Sequence, residues 1–127
     1  WFEPVFSTVI DKKNETYVAI LDNGVRGLIT IEREDWRIYI KELMVQKEYR
    51  NRGIGSKLVE HVVQIAKRDE KIEIVLVNTG ITLTKAIRFY LKCGFAPVGV
   101  VWDYYRANDP QIFLSKRVKK GKSPIMF

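Results

Sequence analysis

Apolar and polar positions change their rhythm along this chain in a readable order. Residues 17–21 (Tyr-Val-Ala-Ile-Leu) are a short apolar run of strand character, and Asp22-Asn23-Gly24 is a turn signal. Residues 25–32 read as the returning strand, because Asn23-Gly24 between two apolar runs is a strong hairpin cue. Glu34-Asp35 makes a second polar turn, and residues 36–45 complete an antiparallel meander. The period then lengthens. Ile54, Leu58, Val62 and Ile65 recur at spacings of three and four, Val59, Val63 and Ala66 widen the stripe, and Lys57, Glu60, Lys67 and Arg68 fall opposite. That pattern predicts an amphipathic helix over 54–68. A short apolar strand over 72–77 follows and should run parallel to the strand before the helix, since a strand–helix–strand unit returns in the same direction. A second helix is predicted over 84–93, stopped by Gly94, and two closing strands over 98–105 and 111–118 flank the turn Ala107-Asn108-Asp109-Pro110. The predicted order is β-β-β-α-β-α-β-β, an α/β domain with a mixed sheet.

Composition bounds the picture. A chain of 127 residues with 46% apolar residues suits one domain, 1–127, with a proper core. The tail 119–127 is basic. No apolar run reaches the roughly 18–20 residues that span a bilayer, so no membrane partner is expected. The single cysteine, Cys93, excludes an internal disulfide and a cysteine metal cluster, and a reducing cytoplasm is the expected compartment. The net charge of +7 is spread along the chain apart from the C-terminal cluster, which fits a polyanionic cofactor better than nucleic acid.

The chemistry concentrates in Arg50-Asn51-Arg52-Gly53-Ile54-Gly55, which joins a strand to a helix. A helix N-terminus leaves N–H groups unpaired and carries partial positive charge, and glycine lets a ligand approach the backbone. With Ser56 completing the turn, this is an anion cradle of the kind a pyrophosphate fills. Two nucleotide motifs fail: position 58 is Leu58 where the dinucleotide fingerprint needs a third glycine, and Gly55-Ser56-Lys57 reverses the Walker order.

Leu43-Met44-Val45, then Tyr49 to Gly55, then Leu58, resembles the acetyl-coenzyme A signature of the GNAT N-acetyltransferase superfamily. Ala86-Ile87-Arg88-Phe89-Tyr90-Leu91-Lys92-Cys93-Gly94-Phe95 resembles its second marker, and Tyr104-Tyr105 is similar to the paired tyrosine of the branch that acetylates ribosomal proteins and other protein N-termini. The resemblance implies a largely antiparallel mixed sheet with a central parallel β-α-β unit and a splayed cofactor cleft near 43–45. It implies acetyl-coenzyme A as donor, held by Leu43, Met44 and Val45 along the strand and by Arg50, Asn51, Arg52, Gly53, Ile54, Gly55 and Ser56 at the turn. It implies transfer to the α-amine, or a lysine, of a protein or peptide, by a monomer or a homodimer. A small-molecule amine acetyltransferase and a non-catalytic cofactor-binding module remain the alternatives. Two departures stand out. Leu83 replaces the asparagine that often touches the cofactor, and only residues 1–13 precede the meander, where the family has a strand and one or two helices. Phe2, Pro4, Val5 and Phe6 read as remains of that segment, and the N-terminal part of the fold is expected to be missing or truncated.

Transfer needs a neutral amine, a stabilised oxyanion and a proton for the leaving thiolate. By resemblance, Tyr90 is the general acid, and a phenol titrating near ~10 stays protonated at neutral pH. Its other role is a core aromatic beside Phe89 and Phe95. Tyr39, acting through a water, is the first choice for the base, and Asn78 replaces the histidine or carboxylate of some relatives and can hold that water. Strand alternation places Glu42 on the face opposite Tyr39 and Leu43. Tyr104 and Tyr105 either shape the acceptor groove or pack on the sheet. His61 reads as a surface residue and Cys93 as packing.

Overall fold

The computed structural model describes residues 5–11 and 13–119, the first of these stretches by its backbone alone. Trp1 to Pro4 and the tail past Lys119 lie outside the described residues. Seven strands form one sheet: β1 (Val5–Asp11), β2 (Asn14–Leu21), β3 (Gly24–Glu34), β4 (Arg37–Val45), β5 (Ile74–Gly80), β6 (Ala96–Val101) and β7 (Gln111–Arg117), in the order β1-β2-β3-β4-β5-β7-β6. Neighbours are antiparallel except β4 and β5, which run parallel on either side of helix α1 (Ile54–Arg68). Helix α2 (Thr84–Lys92) joins β5 to β6. This is the mixed sheet with a central parallel unit that the periodicity predicts.

The core lies between the apolar stripe of α1 and one face of the sheet. Ile54, Leu58, Val59, Val62, Val63 and Ala66 meet Ala19, Ile29, Ile31, Ile38, Ile40, Val75, Val77 and Leu114, all at most 3% exposed. Each fully buried aliphatic side chain of this size contributes about 1.5–3 kcal/mol from removal of its apolar surface from water. The start of α1 sits close on β3 because Gly27 has no side chain: a Cβ there would meet Ile54 Cγ2 at 3.0 Å and Leu58 Cδ1 at 3.1 Å. Tyr90 and Phe95 carry the core under α2, which closes with Phe95 N–H donating to Tyr90 O and Gly94 N–H donating to Leu91 O, both at 3.0 Å.

Four local expectations change. Residues 5–11 form an edge strand paired with β2, a strand that the periodicity does not predict. The hairpin loop is Asp22-Asn23, both at positive φ, and Gly24 already pairs with Leu21. The predicted strand 98–105 ends at Val101, so Tyr104 and Tyr105 stand in the β6–β7 loop. His61 is half-buried rather than on the surface, its ring 4.8 Å from that of Tyr17; burial first, then Arg68, pulls its pKa down.

Candidate active site

The parallel pairing of β4 with β5 covers only Arg37 to Ile40 against Ile74 to Val77. Past that point β4 continues to Val45 and β5 to Gly80 as they separate, so β4 keeps β3 as its only strand partner there. The splay opens a cleft of about 320 Å³ lined by Leu43, Met44, Asn78, Thr79, Ala86 and Tyr90 among others.

A bulge at the same place alters which face each residue of β4 serves. Ile31 pairs with Ile40 but Thr30 pairs with Glu42, so Lys41 is the extra residue. Ile38 and Ile40 lie in the core, and beyond the bulge Leu43 and Val45 pack against the same core. Tyr39 points the other way, into a second hollow it lines with Glu32, Leu76, Tyr104 and Phe113. Tyr39 and Leu43 therefore do not share a face, and Glu42 returns to the face of Tyr39 rather than opposing it. The signal was in the spacing: the apolar positions Ile38, Ile40, Leu43 and Val45 are separated by two, three and two residues.

The glycine turn lies at the start of α1. Its residues fit a pyrophosphate-bearing ligand. No side chain caps the first N–H groups of α1, and no acidic residue stands in its first turn. Gly53 has φ +84°, with open space where a Cβ would point, and Asn51 is also left-handed at φ 63°. Arg50 turns back, its Nε donating to Val45 O at 3.0 Å, and so ties the turn to the end of β4. Arg52 rests over the Tyr49 ring at 4.7 Å, with Arg26 over the same ring at 4.6 Å. Leu83, at the position where the resemblance calls for an asparagine, is 56% exposed and has no side-chain amide.

Tyr90 is 7% exposed and lines the cleft, with Phe89 and Phe95 edge-on at 5.1 and 5.5 Å. Burial first, then Cys93, pushes its phenol above the ordinary value. It is thus a core aromatic whose side chain also lines the cleft and whose phenol stays protonated at neutral pH. Cys93 is half-buried and its thiol is pushed up, chiefly by burial, which agrees with a packing role.

Asn78, the first residue past the part of β5 that pairs with β4, gathers the other predicted groups. Tyr39 Oη donates to its Oδ1, and its Nδ2 donates to Tyr105 Oη at 3.1 Å and to Gln111 Oε1 at 3.0 Å. Tyr104 stacks edge-on with Tyr105 at 4.7 Å and with Phe113 at 5.2 Å. Burial first, then Tyr105 and Tyr104, pushes the Tyr39 phenol well above the ordinary range. Tyr39 is therefore a neutral hydroxyl at neutral pH and not a phenolate base. Sequence reasoning missed Gln111 and Asp109, which complete this cluster across 33 and two residues respectively. No local pattern announces a contact of the first kind. Among the described residues no group of His, Cys, Asp and Glu can hold a metal ion, and no helix is long and apolar enough to cross a membrane.

A strand, splay, glycine turn and tyrosine helix in this order define an acetyltransferase-type cofactor fold, and the family model described as Acetyltransferase (GNAT) family matches residues 1–95. The chain belongs to that family. It is 34% identical over 74 residues to N-alpha-acetyltransferase 50 of Danio rerio, covering 58% of this chain and 44% of that protein. It is 26% identical over 113 residues to an N-alpha-acetyltransferase of Saccharolobus solfataricus, covering 79% of this chain and 67% of that one. Among solved structures, Arabidopsis thaliana Naa50 in complex with the bisubstrate analogue CoA-Ac-MVNAL superposes with a TM-score of 0.73 at 28% identity, over 80% of this chain and 71% of that one. A putative streptothricin acetyltransferase from Bacillus anthracis in complex with acetyl coenzyme A superposes at 0.75 with 26% identity, over 84% and 64%. The chain thus spans less than half the length of the zebrafish relative.

Proposed function

We propose that this domain transfers the acetyl group of acetyl-coenzyme A to the α-amine of a protein or peptide N-terminus. The observation that carries the acceptor half is the character of the Asn78 cluster, whose members Tyr39, Tyr105 and Gln111 are neutral hydrogen-bonding groups. An α-amine titrates near ~7.7–8.0 and a lysine near ~10.4. An acceptor that is already partly neutral at pH 7 needs no strong base, and the carboxylate of the cluster, Asp109, is engaged by Gln111 Nε2 rather than by Tyr39 or Asn78. The likeness to proteins named as N-alpha-acetyltransferases supports the same choice.

The donor, when bound, supplies a thioester carbonyl for attack and a thiol as leaving group. The amides at the start of α1, with Arg50 and Arg52 beside them, hold its pyrophosphate. The free edge of β4 past Ile40 offers backbone groups to its arm and an N–H to the carbonyl oxygen as charge develops there. Tyr90 Oη gives its proton to the departing sulfur and regains one from solvent. Tyr39 Oη holds the amine or a water that carries away the proton the amine loses, so one proton leaves as one is supplied. Tyr104 and Tyr105 flank the incoming chain.

A small-molecule amine is the second reading, favoured by the likeness to a streptothricin acetyltransferase and by the exposure of Tyr105 at 65%. Thiol release from acetyl-coenzyme A against peptides with free α-amines, α-blocked lysine peptides and polyamines separates the two. Turnover with the first group is expected. Turnover confined to polyamines or drugs would replace this reading, and cofactor binding without any turnover would make the domain a binding module.

A further inference from the structure

Gln111 is the one buried polar side chain among the described residues, 6% exposed. Both ends of its amide are engaged: Nε2 donates to Asp109 Oδ1 at 3.0 Å, and Oε1 accepts from Asn78 Nδ2 at 3.0 Å. Asp109 is itself held in the β6–β7 loop, its backbone oxygen accepting from Tyr104 N at 3.3 Å, while Ile81 N donates to the neighbouring Pro110 O at 3.2 Å and ties the loop to the end of β5. A carboxylate can only accept hydrogen bonds. Asp109 therefore allows the Gln111 amide a single orientation, with its carbonyl toward Asn78. That carbonyl in turn requires the NH2 of Asn78, which also reaches Tyr105 Oη, and leaves Oδ1 of Asn78 facing Tyr39. Oδ1 has no hydrogen, so Tyr39 must be the donor.

The end of this chain is a phenol whose only proton is committed to Asn78, so that toward any further group, Tyr104 and Tyr105 beside it included, it can act only as an acceptor. The consequence for an amine is specific. A phenol that donated to the amine would occupy the nitrogen lone pair that has to attack. A phenol that accepts takes an N–H and leaves the lone pair free.

We infer that Asp109 and Gln111 are positioning residues that set the direction of the hydrogen bonds through Asn78, so that Tyr39 receives an N–H of the incoming amine. This rests on the amine-acetylating function proposed above. Neither residue touches the reacting atoms; they act through Asn78. Buried polar chains of this kind are strong when every member is satisfied and fail together when one is turned.

Reversal is the test. Gln111→Lys places a donor against Asn78, paired with Asp109, and Asp109→Lys turns the Gln111 amide round from the loop without altering a buried side chain. Both force Asn78 to present its NH2 to Tyr39, freeing the phenol proton. The double variant D109N/Q111E keeps an acceptor facing Asn78 and restores the original direction. Steady-state thiol release with an N-terminal peptide should show kcat lowered about tenfold or more in each reversed variant, the size of one well-placed hydrogen bond. Acetyl-coenzyme A affinity by calorimetry should stay unchanged, and D109N/Q111E should recover most of the lost rate. If both lysine variants turn over as the unaltered protein does, or if D109N/Q111E falls as far as they do, the direction of the chain has no role and the inference is overturned. If the unaltered protein binds acetyl-coenzyme A but acetylates no amine, the parent function fails, and this inference with it.

Discussion

The proposed donor site and the proposed acceptor site are built on different principles. The donor side is local in sequence: the turn from Arg50 to Ser56 and the tyrosine of α2 each lie within a few residues of the elements that position them. The acceptor side is assembled across the fold. Tyr39 comes from β4, Asn78 from β5, Tyr104 and Tyr105 from the β6–β7 loop and Gln111 from β7, and they meet through hydrogen bonds spanning up to 39 residues. A backbone cradle reads a cofactor by main-chain geometry, so it tolerates change at its side chains. A side-chain cluster reads an acceptor by the identity of each member. The two halves should therefore respond differently to substitution, one in cofactor affinity and the other in turnover or acceptor KM.

The largest effect is expected at the cradle. Gly53→Val puts a β-branched residue at φ +84° and fills the open space above the turn. Strain and lost phosphate contacts together should weaken acetyl-coenzyme A binding about 10³-fold by calorimetry, with the circular dichroism spectrum retained. Retained binding would remove the cradle from the cofactor site. Next comes Tyr90→Phe, which keeps the ring packing against Phe89 and Phe95 and removes only the hydroxyl. Its kcat should fall about 100-fold while cofactor affinity holds; an unchanged kcat would leave Tyr90 as packing alone. A smaller change, about three- to tenfold in acceptor KM, is expected of Tyr105→Phe, which deletes one partner of Asn78. If that variant shifted acetyl-coenzyme A affinity instead, the division between the two sides would collapse.

The pH profile should show the least. Tyr90 donates only while protonated, and its pKa is raised, so its function is present at low pH and lost only as pH passes the raised value. The Tyr39 phenol is raised as well. With an α-amine acceptor, kcat/KM should climb to about pH 8 as the amine deprotonates and then stay level to about pH 10. A descending limb between those values would show that a group of ordinary or lowered pKa supplies the proton.

The same division explains what could be read from the chain before its structure. Helix α1 runs over 54–68, as its stripe of Ile54, Leu58, Val62 and Ile65 predicts, because a period that strong is set by burial on one face. The splay past Ile40 is the one the resemblance implies, and the glycine pattern places a turn at the start of α1. The facing of Glu42 and Leu43 relative to Tyr39 escapes simple alternation because of the bulge at Lys41, since one inserted residue reverses every later position of a strand. The strand propensity of the aromatic and β-branched residues in 98–105 predicts Tyr104 and Tyr105 on a strand. Asp103 and Asn108, both at positive φ and joined by a 2.6 Å hydrogen bond from Asn108 N to Asp103 Oδ1, end it early. Gln111 and Asp109 were invisible as site residues because their meaning lies in an orientation fixed by groups far along the chain.

The proposed acceptor is an α-amine. Its most direct test is tandem mass spectrometry on a peptide bearing both a free N-terminus and an internal lysine, after incubation with the protein and acetyl-coenzyme A. A single acetyl group on the α-nitrogen is expected. Acetyl on the lysine alone, or no acetylated peptide while a polyamine in the same mixture is modified, would contradict it.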